Sequence, residues 1–331
     1  MQALYDVPAP AKLNLFLHVV GKRADGYHLL QSLFVLIDWA DTLHFERRND
    51  GLLQRHDSGD TLPPDDLCLR AARALQAATG CRLGADIHIE KRLPAGAGMG
   101  GGSSDAASTL IALNRLWGLG LTRRQLLDIA LPLGADVPFF IGGRHAFVEG
   151  IGERLTPLDL PREMRFAVIK PEASIATKDI FSSQCLQRSK SVAIVAGFPA
   201  HNSSDAKNAT GTENGTDSDA SETVVETVRL DAEGIAMLAG GFGKESFGRN
   251  DLQKPAEAAS AEVVQALVLL QEQFGNSRMT GSGSAVFAHV SGKDGIDEQS
   301  IANISKVLPS KWSARICRSL TAHPLRGWLE D

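Results

Sequence analysis

Gly96, Gly98, Gly100, Gly101 and Gly102 crowd seven positions of the stretch KRLPAGAGMGGGSSDAASTLIALNRLW, which runs from Lys91 to Trp117. Backbone without Cβ atoms can adopt positive φ and approach a ligand closely. Ser103, Ser104 and Asp105 follow, residue types that cap a helix start. Ala106, Ala107, Leu110, Ile111, Leu113 and Trp117 then repeat at helical spacing. The free N–H groups and positive dipole end of that helix face back into the loop, an arrangement that holds phosphate. A nucleoside triphosphate is the expected guest. A glycine-rich stretch also serves as a flexible connection, and the helix start directly behind it is what favours binding.

Two better-known glycine motifs do not fit. Gly96, Gly98 and Gly101 have the spacing of a dinucleotide fingerprint, but that unit requires a second strand bearing an acid about 20 residues on. Here Thr122 to Gln125 open another helix with a capping box. That disfavours a dinucleotide-dependent oxidoreductase. No Lys-Ser or Lys-Thr pair follows the glycines, so a Walker loop is absent as well.

Lys12 and Asn14 are the next candidates. Leu13, Leu15, Leu17 and Val19 alternate with Lys12, Asn14, Phe16 and His18, which predicts a strand over 12–20 with one face in the core. Lys12 and Asn14 then share the other face about 7 Å apart, close enough to serve one ligand. A solvated strand face is the plainer alternative. Asp136, in GADVPFF, is the one acid between Asp128 and Glu149 and by local sequence reads as a turn or cap residue.

The elements that must position these groups alternate in type. Strands are predicted over 32–37 and 42–47 around the acids at 38 and 41, and over 85–93 leading into the glycine loop. Helices are predicted over 65–78, 105–117 and 122–133, with a sharp stop at 134–140 and strand ends at 145–149 and 153–157. Residues 49–64 read as polar and turn-rich. The first domain is expected to span 1–160, closing near Pro161, and the second 161–331. In the second, a strand over 165–169, a helix over 257–274, a glycine-interrupted strand over 278–290, and a last helix and strand suggest a small α+β unit. The segment at about 189–230 is rich in Ser, Asp, Asn, Thr and Gly and reads as a disordered insertion.

Composition narrows the class. The 331 residues are 43% hydrophobic and carry a net charge of −5, with no run apolar enough to span a bilayer, so neither nucleic acid nor a membrane is an expected partner. No signal peptide is legible, and the expected location is cytoplasmic. Cys68, Cys81, Cys185 and Cys317 lack metal or redox spacing and read as reduced thiols; the nine histidines form no zinc motif.

PAKLNLFLHVVGKRADGYH (10–28), LPAGAGMGGGSSDAAS (93–108), LGADVPFF (133–140) and MTGSGSAVF (279–287) together resemble the GHMP small-molecule kinases, in order and over most of the chain. The resemblance implies an α+β, two-domain GHMP kinase fold. Its N-terminal domain would be like domain 2 of a small ribosomal subunit protein and its C-terminal domain ferredoxin-like, with the active site in the cleft between. It implies transfer of the ATP γ-phosphoryl group, with Mg2+, to a small alcohol. PAKLN with Tyr27 and His28 favours the branch whose substrate is a cytidyl diphosphate alcohol of the non-mevalonate isoprenoid route. A homoserine or mevalonate type of kinase is the alternative, and a non-catalytic nucleotide-binding protein the alternative of another class.

By the same resemblance Lys12 and Asp136 are catalytic. Pro94, Ala95, Gly96, Ala97, Gly98, Met99, Gly100, Gly101, Gly102, Ser103 and Ser104 hold ATP, and Lys91 sits near adenine. Asn14, Tyr27, His28 and Phe181 receive the substrate. Ser104 and Asp105 are candidates for the metal as well as for helix capping, so the metal ligands stay unassigned, as does the oligomeric state. The TGSGS turn at 280–284 could form a second anion-binding turn beside the first loop. Met99 replaces the family's usual leucine, a volume-conserving change. Asp66 stands where asparagine is common, which leaves its role near the nucleotide open.

Overall fold

Two long strands organise the first half of the chain in a computed structural model that describes residues 1–59, 62–160, 163–186, 191–195, 226–230, 248–290 and 296–331. β1 (Ala3–Lys22) and β2 (His28–Arg48) pair antiparallel along their lengths, with register shifts where β1 carries Pro8 to Lys12 and again beyond Asn14. The two strands predicted over 32–37 and 42–47 are therefore one. Asp41 can lie inside it because its carboxylate accepts the Arg92 and Leu93 N–H groups at 2.6 and 2.7 Å, so the buried charge is hydrogen-bonded.

β4 (Gly84–Glu90) and β5 (His145–Gly150) pair with opposite ends of the other edge of β2. β6 (Arg154–Leu158) closes a hairpin with β5, and β3 (Leu53–Ser58) runs parallel to β4 at the sheet edge. β3 corrects the expectation of a turn-rich 49–64. Its side chains alternate between half-buried and exposed, so polar residues sit there without an apolar run to betray the strand.

Helices α1 (Leu67–Thr79), α2 (Gly101–Trp117), α3 (Arg123–Ala130) and α4 (Val137–Gly142) pack with this sheet around Leu43, Phe45, Ile87, Leu110 and Phe139. Asp66 caps α1 by accepting from the Cys68 and Leu69 N–H groups, each at 3.1 Å, and Gly80 ends it. Thr122 and Gln125 form the expected capping box of α3. The start of α2 differs from expectation. Gly100 is its N-cap at φ +72, so Ser103, Ser104 and Asp105 lie inside the helix and cap nothing. The stop at 134–140 likewise contains α4.

The second sheet has the order β10 (Arg278–Met279), β11 (Val286–Val290), β7 (Arg165–Lys170), β12 (Ser313–Arg318), all antiparallel. Near it lie α5 (Thr177–Phe181), α6 (Gln253–Ala259), α7 (Ala261–Phe274) and α8 (Ile296–Val307). The single helix expected over 257–274 is interrupted at Ser260, whose backbone is extended. β8 (Ser191–Val195) and β9 (Glu226–Leu230) pair parallel with each other. The rest of the insertion expected at about 189–230 lies outside the described residues, as does Pro161.

Leu13, Leu15, Phe16, Val35 and Phe147 from the first sheet share one core with Phe166, Val168 and Phe287 from the second. Both faces of β1 are consequently buried, in place of the one face that alternation predicts. Leu325 and Leu329 return to the first core, and the Arg123 N–H donates to the Glu330 carbonyl at 2.9 Å.

His145 supports β2 by accepting the Leu36 N–H at Nδ1, 3.2 Å away, and burial lowers its pKa to about 4. Folded His145 thus stays neutral where an unfolded imidazole, with a pKa of about 6.5, takes a proton. The unfolded state binds more protons between these values, so stability falls as pH drops from about 6.5 to about 4, by about 3 kcal/mol for this group. Denaturant unfolding at several pH values should show His145→Gln losing less stability over that window than the native chain; equal losses would contradict the assignment.

Candidate active site

A cavity of about 340 Å³ is lined by Lys12 and Asn14 of β1, the glycine loop, Asp136, the 281–283 turn, and Thr177 and Phe181 of α5. The groups with chemistry converge on its β1 wall. Lys12 is anchored through its backbone N–H, which donates to the Met99 carbonyl at 3.0 Å, tying the strand to the loop. Its Nζ lies 2.5 Å from Asn14 Oδ1, 3.5 Å from Asp136 Oδ2 and 4.4 Å from the Phe34 ring centroid. Burial pulls the Lys12 pKa down from the usual ammonium range, and Asp136 opposes that shift. One carboxylate, one amide oxygen and one aromatic face surround this ammonium in place of water.

Asn14 is oriented by its surroundings. Its N–H donates to Thr280 Oγ1 at 2.9 Å and its Nδ2 to Ser32 Oγ at 2.9 Å, which turns Oδ1 toward Lys12. Asp136 occupies the N-cap position of α4, yet its side chain makes no capping hydrogen bond and is 30% exposed. Asp136 therefore sits in a turn, as its local sequence reads, while its carboxylate is left to line the cavity beside Lys12.

Two glycine turns meet backbone to backbone. At Gly98, φ is +72°, and a Cβ would lie 2.4 Å from the Thr280 carbonyl oxygen. Ser284 and Ala285 donate N–H groups to the Gly96 and Ala97 carbonyls at 3.1 and 3.2 Å. The second turn therefore packs beside the first, as expected. Asn250 secures it, donating from Nδ2 to the Met279 and Gly281 carbonyls at 2.8 and 2.7 Å.

The remaining candidates divide. Ala97 and Met99 point inward and fill the shared core, so they offer backbone alone. Pro94, Ala95, Gly96 and Gly102 are half-buried or exposed, while Gly101 and Ser103 are half-buried. Ser104 is buried and donates to the Pro10 carbonyl at 2.6 Å. Lys91 does not line the cavity and joins an ion cluster with Asp41 and Asp105, at 2.7 Å from Asp105 Oδ2. His28 stacks on Phe181 with ring centroids 5.0 Å apart and planes at 20°. Tyr27 is 60% exposed and is not brought to the cavity wall.

Ser104 and Asp105 do not fit a metal, since their oxygens are engaged with Pro10 and Lys91 or face the interior. Among the described residues no group of three His, Cys, Asp or Glu side chains could hold one. The four cysteines are free thiols. Asp66 pairs with Arg55 at 2.7 Å besides capping α1. Sequence reasoning missed Ser32, Thr280, Asn250 and Asp41. Ser32 and Asp41 sit among apolar strand residues, and that interruption was the available signal.

The family model for the GHMP kinases N terminal domain matches residues 66–144. The chain is 54% identical over 330 residues to 4-diphosphocytidyl-2-C-methyl-D-erythritol kinase of Methylibium petroleiphilum, covering 99% of each. It is 52% identical to the enzyme of that name from Delftia acidovorans, covering 100% of this chain and 99% of the relative. A crystal structure of 4-(cytidine 5'-diphospho)-2C-methyl-D-erythritol kinase superposes with a TM-score of 0.70 at 30% identity, over 94% of this chain and 98% of that one. Homoserine kinase from Cytophaga hutchinsonii shares the fold, at a TM-score of 0.62 and 15% identity over 98% and 96% of the two chains. No helix among the described residues is long and apolar enough to cross a membrane.

Gly98→Ala should lower unfolding free energy by more than Gly118→Ala does. Gly118 has φ +69° but nothing within 4 Å of a Cβ, so alanine there costs about 1–2 kcal/mol of left-handed strain alone. Equal losses for the two variants in chemical denaturation would mean that the two turns do not constrain each other.

Proposed function

The chain belongs to the 4-diphosphocytidyl-2-C-methyl-D-erythritol kinase family of GHMP kinases, and from that premise we propose that its cleft transfers the γ-phosphoryl group of ATP to the 2-hydroxyl of 4-diphosphocytidyl-2-C-methyl-D-erythritol, giving the 2-phosphate and ADP. The observation that carries the reading is the Lys12–Asp136 pair at 3.5 Å, facing the same cavity as the glycine loop. In this reading the cavity is the cleft between a ribosomal-protein-like N-terminal domain and a ferredoxin-like C-terminal domain. The reaction belongs to the non-mevalonate isoprenoid route in the cytoplasm.

Asp136 accepts the proton of the 2-hydroxyl as its oxygen bonds to the γ-phosphorus, and the bond from that phosphorus to the β–γ bridging oxygen breaks, releasing ADP. A positioned base of this kind contributes about 10²- to 10⁴-fold. Lys12 holds its ammonium beside Asp136 and neutralises charge on the oxygens in transfer. Asn14, locked by Ser32 and Thr280, fixes the ammonium in place. The triphosphate lies along the loop, where the α2 start and the backbone N–H groups of the glycine turns receive it. Magnesium would travel with the triphosphate and supply further charge neutralisation. Phe181, which lines the cavity with His28 stacked on its ring, offers an aromatic surface to cytosine. Tyr27 would have to move from its exposed position to join them.

ADP release with ATP and magnesium should depend on the cytidyl alcohol and not on homoserine or mevalonate. Asp136→Asn should lower kcat by about 10²- to 10⁴-fold with little change in KM. Turnover of another alcohol would overturn the pocket assignment, and an unimpaired Asp136→Asn would remove the proposed base.

A further inference from the structure

Asp41, Lys91 and Asp105 make a buried cluster that the mechanism above does not use. Asp41 Oδ1 accepts both backbone N–H groups that begin the glycine loop, Arg92 at 2.6 Å and Leu93 at 2.7 Å, while Oδ2 accepts from Lys91 Nζ. The same Nζ donates to Asp105 Oδ2 at 2.7 Å, and Asp105 lies in the first turns of α2, just past the loop's other end. Three side chains thus join the entry of the loop to its exit. The lysine side chain is 9% exposed and the carboxylates 0 and 2%.

This arrangement is costly. Asp105 Oδ1 is buried without a hydrogen-bond partner, and two carboxylates share one ammonium. Burial raises the Asp105 pKa, with Asp41 adding to the shift and Lys91 opposing it. Such a buried network is commonly less stabilising than well-packed apolar residues of the same volume. Its value therefore lies in where it holds the backbone. A loop of glycines has many accessible conformations, and each that must be frozen on binding weakens affinity.

Resting on the kinase reading, we infer that Asp41, Lys91 and Asp105 form a clamp that fixes both ends of the glycine loop in its phosphate-receiving shape and so sets affinity for the nucleoside triphosphate. They are positioning residues that act through the loop backbone. Lys91 serves the nucleotide indirectly, since it does not line the cavity.

The test compares Asp105→Ala, Asp105→Asn and the native chain by steady-state kinetics and by calorimetric titration with a non-hydrolysable ATP analogue. Asp105→Ala should raise KM for ATP and the analogue Kd by about 10-fold, equivalent to about 1.4 kcal/mol. The kcat and the KM for the cytidyl alcohol should stay within about 3-fold of native, since a loop-positioning group leaves the reacting pair intact. Asp105→Asn, which keeps an acceptor for Lys91, should recover most of the affinity. Unchanged KM and Kd in Asp105→Ala, or an equal loss in kcat and in both KM values, would overturn the clamp. If Asp105→Ala does not fold, Asp105→Asn decides: a Kd raised by about 2- to 4-fold supports the clamp, because Lys91 exchanges a carboxyl oxygen for a weaker amide acceptor, and an unchanged Kd overturns it. The calorimetric arm needs no turnover, so a native chain that binds the analogue but ignores the cytidyl alcohol would count against the substrate reading alone.

Discussion

A lysine side chain that is 4% exposed must find substitutes for water, and the site is arranged around supplying them to Lys12. One carboxylate, one amide oxygen and one aromatic face do so, and each comes from a different element: Asp136 from the start of α4, Asn14 from β1, Phe34 from β2. Removing water from an ammonium strengthens every interaction that it makes. It also demands that the partners be held rigidly, because a lost partner leaves the charge uncompensated. Ser32 and Thr280 meet that demand for Asn14.

That rigidity is drawn from the core shared by the two sheets. β1 is sandwiched, with Leu13, Leu15 and Phe16 packed among residues of both halves, so its polar face cannot rotate without breaking apolar contacts on each side. The same strand carries backbone bonds to the loop at Lys12 and to the 249–251 segment at Leu17. The position and burial of Lys12 and Asn14 are thus consequences of one strand's placement.

Local signals were legible where a residue's role is local. The capping box at Thr122, the glycine stop at Gly80 and the close packing of two glycine turns follow from backbone stereochemistry, and the structure has them all. Readings failed where tertiary contacts override local preference. Asp38 and Asp41 look like a turn, but Asp41 is satisfied by residues 50 positions away and the strand continues through it. Ser103, Ser104 and Asp105 look like caps, but two glycines ahead of them already start the helix. At the site, the pairing of Lys12 with Asp136 required the whole fold; periodicity placed Lys12 beside Asn14 but could not bring in an acid from 124 positions along the chain.

The bond from the Asn14 N–H to Thr280 joins residues 266 positions apart. Asn250, which secures the Thr280 turn, belongs to a segment strapped to β1 by paired backbone bonds at Leu17. The chain between α5 and residue 248 has both its ends fixed, by the stacking of Phe181 on His28 and by the backbone bonds at Leu17, which in polymer terms closes a loop. Closing such a loop costs only about 0.6 kcal/mol more for each doubling of its length. Lengthening or shortening the chain between those two anchors therefore changes the closure entropy little, and none of the described residues lining the cavity comes from it.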